Sequence, residues 1–200
     1  LFRSRFEQVI RENILRVSEG LPIISVSQKP IDFGQNICVG NVGVSNQNAH
    51  RQMQIGAQVA TTPFVHFAEA DCLYPTDYFQ YIPSDDHTIY RSEVYLHYLN
   101  CGMPFKRKKS SECSTVSGRQ HVIDHIEKML EGRGKWCPTL EHGKAVPFTF
   151  LKKHFKIFNI EKPIINIKTP NGMHWKHGTD IEVEVLPYWG KPSDIDAIFS

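Results

Sequence analysis

Two hundred residues, of which 40% are hydrophobic and 22% charged, suffice for one globular domain with a sizeable core. The net charge of +2 gives no global reason to expect nucleic-acid or membrane binding, and no apolar run approaches the roughly 20 residues that span a bilayer. Five cysteines, an odd number with no CxxC, argue against a secreted disulfide scaffold and for a reducing, cytoplasmic compartment.

The chain opens at Leu1 on an amphipathic segment that does not resemble a leader, and the missing Met leads us to expect sequence upstream. Over residues 2–17, Phe2, Phe6, Val9, Ile10, Ile14 and Val17 fall on one helical face, and Glu19-Gly20 supplies a stop. Residues 21–27 (LPIISVS) are apolar and β-branched, as in a strand buried on both faces of a parallel sheet. A glycine-rich loop follows, with a short edge strand expected at 37–39. Ser45 or Asn46 caps a helix to about Ala60, with Ala49, Met53, Gly56, Ala57 and Ala60 on the face expected against the sheet. The apolar run 64–70 predicts a second buried strand, ending in Glu69-Ala70-Asp71 before a turn at Pro75.

Further along, the pattern predicts a short helix at 77–82 and one or two strands over 88–99. Residues 102–118, basic and polar, are expected as a mobile loop, and 120–130 as an amphipathic helix. A loop covers 132–147, a helix is expected at 148–158, a strand at 163–168, and an exposed strand at 180–187. Ser193 to Asp196 carries a capping-box pattern for a final helix. Helix followed by buried strand, twice over, is an α/β signature.

Two carboxylates separated by one residue at a strand's end project to the same side, and hard oxygen donors of this kind select Mg²⁺ or Mn²⁺. The alternative is a solvated strand end. Residues 45–79, SNQNAHRQMQIGAQVATTPFVHFAEADCLYPTDYF, combine a helix containing Gly56-Ala57 with an apolar strand leading into those acids. This layout resembles nucleotide-sugar glycosyltransferases of the GT-A type, family-two-like, which carry a D-x-D-type motif at the end of a central strand. The likeness covers residues 21–79 and is loose beyond.

The resemblance implies a Rossmann-like GT-A fold with a mainly parallel central sheet flanked by helices. It implies a single domain over residues 1–200, with a nucleotide-sugar-binding half at 1–87 and an acceptor-side half at 88–200. The implied activity is transfer of a sugar from a nucleotide-diphosphate sugar to an acceptor (a glycan, a small molecule or nucleic acid), assisted by Mn²⁺ or Mg²⁺. Asp71 is then the main metal ligand and the group acting on the leaving diphosphate, and Glu69 contacts the ribose or the metal shell. Ser27 and Gln28, after the first observed strand, and Arg51 and Gln52, on the helix, are implied at the nucleotide. His174 completes the metal shell, with His177 nearby, and Glu141 is the general base, with Asp124 in reserve. Trp136 is placed to stack on a sugar face. The chain departs from the pattern in starting at a helix, so the family's first strand is expected upstream.

Three other readings compete. His121 and His125, four apart on a helix, form with Cys101 and Cys113 a C-x11-C-x7-H-x3-H series able to hold a structural zinc. Lys106 to Lys109 form a basic run suited to an acidic acceptor, or simply a solvated one. A degenerate transferase used only for binding, or a nucleotidyltransferase on the same type of sheet, would share the acids. The latter usually carries a Gly-rich basic loop, which is not visible here.

Overall fold

The computed structural model describes residues 2–137, 155–169 and 181–200. Its elements are α1 (Phe2–Val17), β1 (Ile24–Ser27), β2 (Gln35–Cys38), α2 (Asn46–Val59), β3 (Phe64–His66), β4 (Cys72–Leu73), α3 (Thr76–Gln80), β5 (Ile89–Arg91), β6 (Val94–Tyr98), β7 (Phe105–Lys108), a 3₁₀ turn (Glu112–Ser114), β8 (Thr115–Gly118), α4 (Arg119–Met129), β9 (Phe155–Ile157), β10 (Ile164–Lys168), β11 (Glu182–Val183) and α5 (Pro192–Ile198).

The class is mixed α/β, and the expectation of a mainly parallel sheet is corrected. The five-stranded sheet runs β11-β7-β6-β10-β4, and only β6 and β10 are parallel in it. The four-stranded sheet runs β3-β8-β5-β9, with β5 and β9 parallel and the other pairs antiparallel. β1 and β2 form a separate parallel pair. An apolar run shows that a strand is buried; it does not encode the direction of its neighbour, and this is where the reading failed.

The helices follow their periodicity. α1 buries Val9, Ile10, Ile14 and Val17. It stops where Glu19 and Gly20 take positive φ of 50° and 83°. α2 is capped by Ser45, whose side chain accepts from the Asn48 N–H. Its buried side chains are Gln47, Asn48, His50, Gln54 and Ala57, while Ala49 is exposed. The small face still allows close approach, since a Cβ on Gly56 would lie 3.5 Å from the Val26 methyl on β1. α5 has Lys191 and not Ser193 at its N-cap, and Asp194 accepts from the Lys191 N–H at 2.7 Å.

Several expected strands and loops change character. Residues 21–27 shrink to β1, half-buried in its small sheet. Residues 64–70 shrink to β3, and positions 68–70 are exposed. The expected mobile loop at 102–118 contains β7, the 3₁₀ turn and fully buried β8. Its cations have partners across the sheet: Lys106 faces Glu182 at 3.6 Å, and Arg107 pairs with Glu93. Opposite charges on adjacent strands let a basic run lie in a sheet. The part of the expected 148–158 helix that lies within the described residues is β9, a strand.

The main core joins α1, β4, β6, β7, β10 and α5 around Tyr74, Tyr78, Phe105 and Ile165, each 1% exposed or less. Each large side chain buried this way contributes about 1.5–3 kcal/mol. A second cluster packs Ala57 of α2 on Val122, Ile123 and Ile126 of α4.

Candidate functional site at the seam between two sheets

The short connections β3–β4, β5–β6, β7–β8 and β9–β10 all cross from one large sheet to the other. They meet along a seam. Ser114 Oγ donates to the Ser92 carbonyl at 2.9 Å and accepts from its N–H at 3.1 Å, while Phe67 N–H bonds the Thr115 carbonyl. Glu69 and Asp71 lie in the first of these crossings. They are therefore not at the carboxyl tip of a parallel strand, because β3 ends at His66 and the chain leaves its sheet after Phe67.

The acidic crossing is held from beneath by Tyr74. Its hydroxyl accepts from the Glu69 N–H at 2.9 Å and donates to the Cys113 carbonyl at 2.9 Å. The Tyr74 backbone is in turn clasped by Asn13 of α1. The Asn13 amide donates to the Tyr74 carbonyl at 3.1 Å and its oxygen accepts from the Tyr74 N–H at 2.8 Å. A polar residue on a buried helix face is costly unless satisfied, and this pair of bonds satisfies Asn13. Sequence reading missed Asn13 and Tyr74; the one available signal was an asparagine interrupting the apolar stripe of α1.

Asp71 Oδ2 faces Lys168 Nζ at 3.4 Å, and the Asp71 carbonyl accepts from Ile167 N–H at 2.7 Å. Glu69 is exposed as a residue, yet its carboxyl lies close to protein groups. Burial of that carboxyl, then the charges of Asp71 and Glu112, raise it to about 7, against the pull of Lys168 and Lys108. Glu112 meets Arg91 at 3.7 Å and His50 at 3.7 Å. Arg91 is 5% exposed, and its guanidinium lies 5.0 Å from the Phe155 ring centre. The seam thus gathers three carboxylates, Glu69, Asp71 and Glu112, among Lys108, Lys168 and Arg91.

Beneath the carboxylates sit two thiols. The Cys72 and Cys113 sulfurs and a Glu69 oxygen lie within 4.8 Å of one another, and both cysteines are fully buried. Asn166 Nδ2 donates to Cys72 Sγ at 3.0 Å, and the Cys72 thiol donates to Asp71 Oδ1 at 3.5 Å. Burial pushes the Cys72 thiol well up, and the hydrogen bond to Cys113 adds to this. Cys113 therefore belongs with Cys72. The His121 and His125 rings lie tilted with centres 5.9 Å apart on α4, and Cys101 Sγ bonds the Leu99 carbonyl, so the C-x11-C-x7-H-x3-H series does not assemble among the described residues.

The other sequence-derived positions are distributed more widely. Ser27 Oγ donates to the Lys29 carbonyl at 2.6 Å and accepts from Asn36. Gln28 ties down the 42–43 backbone, accepting from Val42 and Gly43 and donating to the Gly43 carbonyl. Arg51 donates to Gln54 at 2.7 Å and lines an open depression of about 460 Å³ with Asp124, Glu127 and Lys128. Gln52 is half-buried on α2. Among the described residues, no hydrogen bond or ion pair links Ser27, Gln28, Arg51 or Gln52 to Glu69 or Asp71. Glu141, His174 and His177 lie outside the described residues. Trp136 is described, and its loop is fixed to the start of α2. Asn48 accepts from the Cys137 N–H and donates to its carbonyl, both at 2.8 Å.

A scan against protein-family models finds no match, and a search of curated proteins finds none.

Proposed function

We propose that the chain is a metal-dependent glycosyltransferase that moves a sugar from a nucleotide-diphosphate sugar to an acceptor. The observation that carries the reading is the convergence of Glu69 and Asp71. The two carboxylates lie in one acidic crossing, where burial of the Glu69 carboxyl and then the charge of Asp71 raise Glu69. Like charges held together are relieved by a cation, and oxygen donors suit Mn²⁺ or Mg²⁺. A divalent ion there supplies neutralisation of the charge that develops on a departing diphosphate.

The chain's own residues then have distinct tasks. Asp71 and Glu69 hold the ion. Tyr74 and Asn13 keep the acidic crossing in place, so that its carboxylates need little reorganisation when charge develops. Lys168, whose Nζ lies 3.4 Å from Asp71 Oδ2, would offer a cation to the diphosphate oxygens. Ser27, Gln28, Arg51 and Gln52 are proposed at the nucleotide, His174 in the metal shell and Glu141 as the base that takes the acceptor proton. The resemblance of residues 21–79 to GT-A transferases supports the assignments of Ser27, Gln28, Arg51, Gln52, Glu69 and Asp71, and those of His174 and Glu141 rest on its looser extension beyond residue 79. Among the described residues no helix is long and apolar enough to cross a membrane.

Thermal unfolding with UDP or GDP and Mn²⁺ tests the reading. The melting temperature rises with nucleotide and metal together, and Asp71→Ala abolishes the rise. No rise with any nucleoside diphosphate overturns it. One observation favours a non-catalytic binding protein on the same scaffold: Lys168 already neutralises Asp71. Such a protein would show the thermal shift and no release of nucleoside diphosphate from a sugar donor.

A further inference from the structure

The thiols beneath the carboxylates have no part in the transfer reading, yet they are arranged as metal ligands. Cys72 on β4 and Cys113 in the 3₁₀ turn come from distant parts of the chain and meet at the seam with 0% exposure each. Their sulfurs and a Glu69 oxygen lie within 4.8 Å of one another. A tetrahedral zinc takes sulfur at about 2.3 Å and carboxylate oxygen at about 2.0–2.2 Å. Those bond lengths set neighbouring donors about 3.5–3.8 Å apart, so closing the cluster on an ion asks for movements of about 1 Å or less.

We propose that Cys72, Cys113 and Glu69 form a binding site for a thiophilic divalent cation, zinc in the first instance. Two buried cysteines alone are ordinary core residues. Three further features distinguish this pair. A carboxylate is directed at the sulfurs, where an apolar core would present a methyl group. Asn166, itself 5% exposed, donates its amide N–H to Cys72 Sγ at 3.0 Å, the outer-shell bond that supports a thiolate ligand. The backbone beside each sulfur is also fixed: the Cys113 carbonyl is bound by Tyr74, and Cys72 pairs with Asn166 across β4 and β10.

Glu69 is exposed as a residue while the thiols are not, so the carboxylate side of the cluster is the one nearest solvent. Asp71 Oδ1, 3.5 Å from Cys72 Sγ, is an oxygen available for a fourth position. Binding converts two thiols to thiolates and releases two protons to solvent, with no change in oxidation state. Thiolates select zinc over Mg²⁺ or Mn²⁺. The seam then carries two overlapping donor sets that share Glu69 and, at the fourth position, Asp71: oxygens outward for a hard ion, sulfurs inward for a soft one. Zinc occupancy accordingly weakens the response to Mn²⁺ and nucleotide. The zinc site itself stands on Cys72 and Cys113, so either reading can fail without the other.

Cobalt(II) titration of the reduced protein under anaerobic conditions reads the site directly. One equivalent gives thiolate-to-cobalt charge-transfer absorption in the near ultraviolet and strong visible bands of a tetrahedral ion, and one equivalent of Zn²⁺ removes both. Cys72→Ser and Cys113→Ser each lose at least half of the charge-transfer intensity and the double variant loses all of it, while Cys38→Ser and Cys101→Ser retain it. Asn166→Ser weakens cobalt binding about tenfold and keeps the spectrum. A pale spectrum without charge transfer in the wild-type protein overturns the proposal, whatever the folding of the variants. So does charge transfer that persists at full intensity in Cys113→Ser, or at all in the double variant. The thermal shift with Mn²⁺ and UDP or GDP, measured on Cys113→Ser, persists if only the zinc site has been removed.

Discussion

Single polar side chains hold the acidic crossing in place. Tyr74 is fully buried, and its hydroxyl bridges Glu69 N–H to the Cys113 carbonyl. Tyr74→Phe leaves both groups without that partner and is expected to cost about 1–3 kcal/mol in urea unfolding, with the slope unchanged. A loss below about 0.5 kcal/mol would mean that water replaces the hydroxyl. His97 gives the pH dependence. Its side chain is fully buried, and its Nε2 lies 2.7 Å from Asp196 Oδ1. Burial lowers its pKa below the usual 6.5, and the bond to Asp196 only partly opposes this. The folded chain thus binds fewer protons at His97 than the unfolded chain does. The stabilisation is complete above pH 6.5 and is lost as pH falls through the lower folded value. His97 therefore contributes a loss of melting temperature as pH falls below about 6.5. Glu69 opposes it, since its raised carboxyl favours the folded chain as pH falls through about 7. The His97 share is read as the difference between wild type and His97→Gln across that range. His66, also lowered by burial, sustains a remainder. A pH profile unchanged by His97→Gln would contradict this assignment.

Elements were legible in proportion to how locally they are determined. α1, α2 and α4 were readable because period, cap and stop all lie within the helix's own residues, and β10 because an apolar run between turns has few alternatives. β7 was not readable, since Glu93 and Glu182, which neutralise its cations, are distant in sequence. β3 was read too long because apolar residues continue past the end of its pairing with β8 at His66. The junction of β8 and α4 is a sharp case of close approach, because a Cβ on Gly118 would collide with the Asp86 carbonyl. Gly118→Ala is therefore expected to destabilise by about 1–3 kcal/mol, read as a fall in the urea midpoint. An unchanged midpoint would show that the 85–87 turn yields freely.

At the scale of the whole molecule, the proposed function is placed at the seam where connections of both large sheets converge. The acids themselves were visible in sequence, because E-x-D after an apolar run is a local pattern. The rest of the site was not. Lys168, Glu112 and Arg91 reach it from β10, the 3₁₀ turn and β5, and the Cys72–Cys113 pairing is a product of topology alone. Ser27, Gln28 and Arg51 were chosen by likeness to a parallel-sheet layout, and in this mixed sheet their described bonds are to their own neighbourhoods. The central claim is that Glu69 and Asp71 hold a divalent ion for a nucleoside diphosphate. Electron paramagnetic resonance of Mn²⁺ tests it most directly, since free ion gives a signal that bound ion loses. Adding UDP or GDP should deepen the loss of free Mn²⁺ signal beyond what nucleotide alone produces, and Asp71→Ala should restore the nucleotide-only level. Free Mn²⁺ that is the same with and without protein, or the same for wild type and Asp71→Ala, would contradict the claim.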